Sequence, residues 1–108
     1  MNQRYGQPLE TQYTIRRWQL NTFGPTTNYM RTATRMNEEV AELLTAISLK
    51  DINKIGNEIA DIFIVLCGVA SEHCFDIAAE EVDKKMKINR ERKWNITDEG
   101  HGYHVKES

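Results

Sequence analysis

The sequence predicts an all-α fold, a four-helix bundle-like subunit, from three observations. Apolar residues recur at three- and four-residue spacing, capping and breaking residues separate these stretches, and strand-like alternation is absent. With 108 residues, 40% hydrophobic and 28% charged, the chain has the size and composition of one ordinary globular domain. That domain is expected over residues 1–94. A loose polar tail with Gly100 and Gly102 is expected over 95–108.

The elements follow in order. A first helix is expected from about Leu9 to Asn21, stopped by Phe23-Gly24-Pro25. Thr26, Thr27 or Asn28 can cap a second helix reaching about Leu49, with the apolar arc Met30, Ala33, Met36, Val40, Leu43, Leu44 and Ile47. Asp51 can cap a third, Ile52 to about His73. Its stripe Ile55, Ile59, Ile62, Leu66 and Val69 is joined by Phe63, Ile64 and Val65, so its second half is apolar nearly all round. Such a helix must be covered on several sides, and a chain this short has few elements to do so. A partner subunit, and so at least a dimer, is therefore expected. Asp76 can cap a fourth helix, Ile77 to about Lys93.

Charge and composition exclude some functions. A net charge of -2 supplies no field that would draw the chain to a nucleic acid polymer or a membrane surface. The longest apolar run, Ile62 to Cys67, is too short to span a bilayer, and the N-terminus does not read as a signal peptide. Cys67 and Cys74 are seven residues apart, which if helical separates them by about 10 Å of axis, too far for a disulfide. Reduced thiols in a cytoplasmic setting are the simplest expectation.

The chemistry is concentrated in two acidic clusters, Glu38-Glu39-Val40-Ala41-Glu42 and Glu58-Ile59-Ala60-Asp61. Each contains acid-x-x-acid, and residues three apart share one side of a helix. Two facing helices would thus present Glu39, Glu42, Glu58 and Asp61 together. Close like charges repel unless a cation lies between them. A set of carboxylates without Cys or His suits a hard ion, Mg²⁺ with Mn²⁺ as the alternative, and hence phosphate chemistry. On a helical wheel Glu58 falls inside the apolar arc of its helix and Asp61 at its edge. A carboxylate drawn into an apolar wall needs a partner. The competing explanation is surface salt bridging, with Arg35 four residues before Glu39.

The fourth helix carries complementary charge. Lys85, Asn89 and Arg92, at i, i+4 and i+7, form one stripe of ammonium, amide and guanidinium groups suited to a polyphosphate. The plain alternative is a solvated basic face favoured by the helix dipole.

These residues resemble a known family. Glu39-x-x-Glu42 followed by Glu58-x-x-Asp61 is similar to the ExxE…ExxD signature of the MazG-like all-α nucleoside triphosphate pyrophosphohydrolases. The phrase Lys85-Met86-Lys87-Ile88-Asn89-Arg90-Glu91-Arg92 resembles the K-x-x-x-N-x-x-R ending of its small single-domain members, dCTP pyrophosphatase among them. Trp18 and Phe23-Gly24-Pro25 resemble their aromatic-then-proline lead-in, so the resemblance spans about Trp18 to Trp94.

The resemblance implies hydrolysis of a nucleoside triphosphate between the α and β phosphates, giving monophosphate and pyrophosphate in nucleotide-pool house-cleaning. It also implies Mg²⁺ on Glu39, Glu42, Glu58 and Asp61, phosphate or sugar contacts from Lys85, Asn89 and Arg92, and a dimer or dimer of dimers. Glu38, on the side of Glu42, is a candidate to take a proton from water. Trp18, Phe23 and Tyr29 can stack on a base, with Asn21, Asn28 or Asn37 reading its edge. For Trp18, packing in the core is the competing role. Two other classes are weighed: a non-enzymatic helical interaction module, and the sister enzyme phosphoribosyl-ATP pyrophosphohydrolase. A ferritin-like di-iron site would need Glu-x-x-His on two helices, and neither His73, His101 nor His104 has a Glu three residues before it.

Overall fold

The computed structural model describes residues 6–97, 99–100 and 102–105. Residues 1–5, 98, 101 and 106–108 of the expected domain and tail lie outside the described residues. Among the described residues four α-helices form in order: α1 Gln12–Phe23, α2 Tyr29–Ser48, α3 Ile52–Glu72 and α4 Asp83–Glu91. The chain divides into two compact units, Met1–Asp76 and Ile77–Ser108, and each is described by itself.

In the first unit, local chemistry sets every boundary. A capping box starts α1: Thr11 Oγ1 accepts from Thr14 N at 3.1 Å, and Thr14 Oγ1 accepts from Thr11 N at 2.7 Å. The helix therefore begins at Gln12 rather than at Leu9. It ends where Gly24, with φ 77, returns its N–H to Leu20 O. Asn28 caps α2 through Arg31 N, and Asp51 caps α3 through Lys54 N.

Both long helices end in the same way. Lys50 (φ 56) and Cys74 (φ 63) take the left-handed conformation one residue past the caps Leu49 and His73. Lys50 N donates to Ile47 O and Asp51 N to Ala46 O, while Cys74 N donates to Ser71 O and Phe75 N to Ala70 O. These are Schellman closures made without glycine. Asp51 thus satisfies the end of α2 through its N–H and the start of α3 through its side chain. The result is a tight α2–α3 helical hairpin.

The core of this unit is thin. Ile15, Ala46, Val65, Cys67 and Ala70 are its buried apolar residues, with Cys67 and Ala46 at 0% and 1% exposure. Small side chains at Ala46, Cys67 and Ala70 suit close backbone approach, which the larger residues of the expected stripes would not permit. Along α1, Gln12, Arg16 and Gln19 bridge to α3. Gln12 Nε2 donates to Ser71 Oγ and to Phe75 O, Gln19 Nε2 donates to Ile64 O at 2.9 Å, and Arg16 Nη1 lies 3.7 Å from Glu72 Oε1. Rising numbers on α1 meet falling numbers on α3, so the two helices are antiparallel.

The second unit departs from two expectations. Residues Ile77–Val82 wind as a π-helix before the α-helical Asp83–Glu91, so the fourth helix is not one continuous α-helix to Lys93. A periodicity read over so few residues does not separate i→i+4 from i→i+5 winding. The expected loose tail instead contains a two-stranded antiparallel ladder, β1 Trp94–Ile96 and β2 Gly102–His104, pairing Trp94 with His104 and Ile96 with Gly102. Gly100, at φ 83, donates to Thr97 O within the connection. Strands of three residues are too short to show alternation, which is why the sequence concealed them.

Candidate active site

The hairpin turn lines up the acids. Glu42 and Glu58 each lie eight residues from Lys50, while Glu39 and Asp61 each lie eleven. Two antiparallel helices leaving a tight turn bring such positions level with one another. Carboxylate oxygens of Glu39, Glu58 and Asp61 lie within 4.8 Å of one another. Glu42, exposed and outside that group of three, is near enough to Glu58 to help hold its carboxyl protonated. Glu38 is exposed on α2 and is not one of the three.

The electrostatics are those of a site short of positive charge. Glu58 is buried, at 4% exposure. Its pKa is raised above the ordinary 4.5, first by burial, then by the Glu42 carboxylate as an acceptor for its proton, and by the charges of Glu42, Asp61 and Glu39. Arg35 Nη2 approaches Glu39 Oε1 to 3.9 Å, too far for a hydrogen bond. Glu39 Oε2 and Glu58 Oε2 are both buried without any hydrogen-bond partner. Salt bridging therefore does not account for these acids. A hard divalent cation would satisfy the orphaned oxygens and relieve the repulsion together, and the all-oxygen donor set fits one.

A pH dependence follows. Below about 4.5 the Glu58 carboxyl is protonated in folded and unfolded chains alike. As pH rises toward its raised folded value, the unfolded chain releases the proton first, so metal-free stability is lost across that interval. Melting curves of metal-free protein should show this loss, Glu58→Gln should remove it, and Mn²⁺ should stabilise increasingly as pH climbs.

Beside the carboxylates a cavity of about 570 Å³ opens, lined from α1, the 24–28 turn, α2 and α3. Glu39 and Asp61 form part of its wall, with Trp18 and Phe23 in edge-to-face contact at 5.5 Å and the guanidinium-bearing Arg16, Arg31 and Arg35. Trp18 is 54% exposed, so it is a cavity wall and not a core residue. Asn28 also lines the cavity, whereas Tyr29 sits against the His73 ring at 5.2 Å. In the second unit Lys85 is exposed on α4 and Asn89 is half-buried, with Oδ1 lacking a partner. Arg92 is the C-cap of α4, its ψ of 152 leaving the helix while its φ of -79 stays helical.

Sequence reasoning missed Arg16, Gln19, Arg31 and Glu72 as cavity residues. The series Arg31, Arg35, Glu39, at i, i+4 and i+8, was the available signal for part of this set.

Comparison with known proteins decides the family. The model of the MazG nucleotide pyrophosphohydrolase domain matches residues 27–95, more than half the chain. The chain belongs to the MazG family. It is accordingly a nucleotide pyrophosphohydrolase, a hydrolase with a divalent-metal centre. This MazG domain is also similar to a solved structure described as the cyanophage S-2L MazG-like pyrophosphohydrolase bound to dGDP and three catalytic Mn²⁺ ions per active site. The two share 28% identity and a TM-score of 0.72, over 90% of this chain and 91% of that one. No curated protein matches. Among the described residues, no single helix is long and apolar enough to cross a membrane.

Proposed function

We propose that this MazG domain hydrolyses a deoxynucleoside triphosphate between its α and β phosphates, with Mg²⁺ as its physiological cation and Mn²⁺ as a substitute, in nucleotide-pool house-cleaning. One observation carries the reading: Glu39, Glu58 and Asp61 converge, with two buried oxygens unpartnered, at the wall of a cavity that also holds aromatic and guanidinium groups. The similar cyanophage enzyme is bound to a deoxynucleotide and Mn²⁺, which supports both ligand classes here. Divalent ions held there by Glu39, Glu58, Asp61 and Glu42 would neutralise phosphate charge and acidify water.

The remaining roles belong to side chains. Trp18 offers a face for the base. Arg31 and Arg35 supply cations on the α2 wall, and Lys85, Asn89 and Arg92 are assigned to phosphate or sugar by the family pattern. Glu38 is the candidate to accept the proton from water, and Glu42, beside Glu58, is a second. Two free thiols, Cys67 and Cys74, suit a reducing cytoplasmic setting.

We also assign a homo-oligomer. Val40, Leu44 and Ile47 on α2, and Ile59 and Phe63 on α3, remain exposed at helical spacing beside a thin core. Phe63→Glu should convert a dimer or tetramer into monomer in sedimentation. A wild-type chain that stays monomeric at micromolar concentration would refute the assembly.

A panel of nucleotides with Mg²⁺ or Mn²⁺, scored for product, tests the reaction. Equal release of monophosphate and pyrophosphate is expected. Release of inorganic phosphate instead would move cleavage to the β–γ bond and overturn the proposal.

A further inference from the structure

We propose that Glu72, together with Gln19, reads the base of the nucleotide, and that guanine is the base they select. This rests on the nucleotide reading above and assigns its base specificity.

The observation is a second buried carboxylate, distant from the metal set. Asp61, Ile64, Val65, Gly68 and Glu72 form one stripe of α3 along the cavity wall. Eleven residues separate Asp61 from Glu72, about 16 Å of helix axis. With the phosphates at the Asp61 end, a nucleotide laid along the stripe points its base toward Glu72.

The Glu72 side chain is only 3% exposed. Arg16 stands 3.7 Å from its Oε1, beyond hydrogen-bond length, and Oε2 is buried with no partner. Gln19 lines the same cavity. Its Nε2 is committed to Ile64 O, while its Oε1 is an acceptor that is also buried and unpartnered. Gly68 makes room for that amide, because a Cβ there would lie 2.9 Å from Gln19 Oε1. Beside the Arg16 ion pair the wall thus offers two acceptors lacking donors, Glu72 Oε2 and Gln19 Oε1. Buried acceptors left unmatched are costly, so a ligand that brings donors is favoured.

Among the common bases only guanine places two N–H donors, N1–H and N2–H, side by side on one edge, matched to the two oxygens of a carboxylate. Adenine and cytosine set a ring-nitrogen acceptor beside the exocyclic amine. Thymine and uracil flank a single N–H with two carbonyl oxygens. Each of these turns lone pairs toward the carboxylate. A site built to hydrogen-bond strongly rejects an analogue that lacks the group.

The test compares dGMP with dIMP, which differs only by lacking the N2 amine, in calorimetric titrations of the full chain with Mn²⁺. Wild-type protein should bind dGMP at least about tenfold more tightly than dIMP, the loss expected for one charge-assisted hydrogen bond. Glu72→Gln should weaken dGMP by at least about tenfold and reduce the preference over dIMP. Equal wild-type affinity for dGMP and dIMP, or tighter binding of dAMP or dCMP, overturns the proposal even if the variant does not fold. So does a Glu72→Gln protein that weakens both ligands by one factor, which is the behaviour of a brace between α1 and α3. Because binding needs no turnover, guanine selectivity without pyrophosphate release would overturn the hydrolysis reading alone.

Discussion

Glu58→Gln should abolish nucleotide hydrolysis while the fold persists, and the metal-free variant should melt at a higher temperature than wild type. Glu58 is the most buried of the clustered acids, and its carboxyl is pressed by Glu42, Asp61 and Glu39. Replacing it with a neutral amide of the same size relaxes that repulsion, so the metal-free protein gains stability. The same change removes a charged donor from the centre of the three-carboxylate group. Cation binding then weakens, and the stabilisation that Mg²⁺ or Mn²⁺ gives the folded state shrinks with it. Asp61→Asn should act in the same direction. Near-normal turnover in both variants would show that the carboxylates do not hold the catalytic cation.

Arg92→Ala should lower kcat/KM by at least about tenfold and leave Mg²⁺ affinity in the absence of nucleotide nearly unchanged. The guanidinium can make two charge-assisted hydrogen bonds to phosphate, each worth about 1.5–3 kcal/mol where water is excluded. Loss of about 1.4 kcal/mol is one decade in rate. Arg92 caps α4 with a helical φ, so its Cβ still continues the row of Lys85 and Asn89. Arg90 lies about 100° round from Asn89, and Arg90→Ala should be mild. If Arg90→Ala is as damaging as Arg92→Ala, or Arg92→Ala is silent, the row is a solvated face.

The sequence by itself determined the three helices of the first unit and the side chains that cap them. Asn28 and Asp51 cap through their own side chains, Gly24 provides the left-handed stop, and these are local interactions that need no tertiary partner. It also determined which acids share a helix face, because acid-x-x-acid on a helix fixes that, and the wheel position of Glu58 already implied burial.

Only the tertiary structure decided the rest. The non-glycine closure at Lys50 folds α2 against α3 and levels Glu39 with Asp61, a consequence of φ at one residue that composition does not announce. Tertiary packing chose Ala46 and Cys67 over the larger stripe residues as the most buried positions, because close helices admit small side chains. It also turned the polar face of α1, with Arg16 and Gln19, onto α3 across from Glu72. Read alone, each of these is an ordinary polar residue on a surface helix. What makes them a recognition wall is their shared loss of water, and that exists only once two distant segments meet.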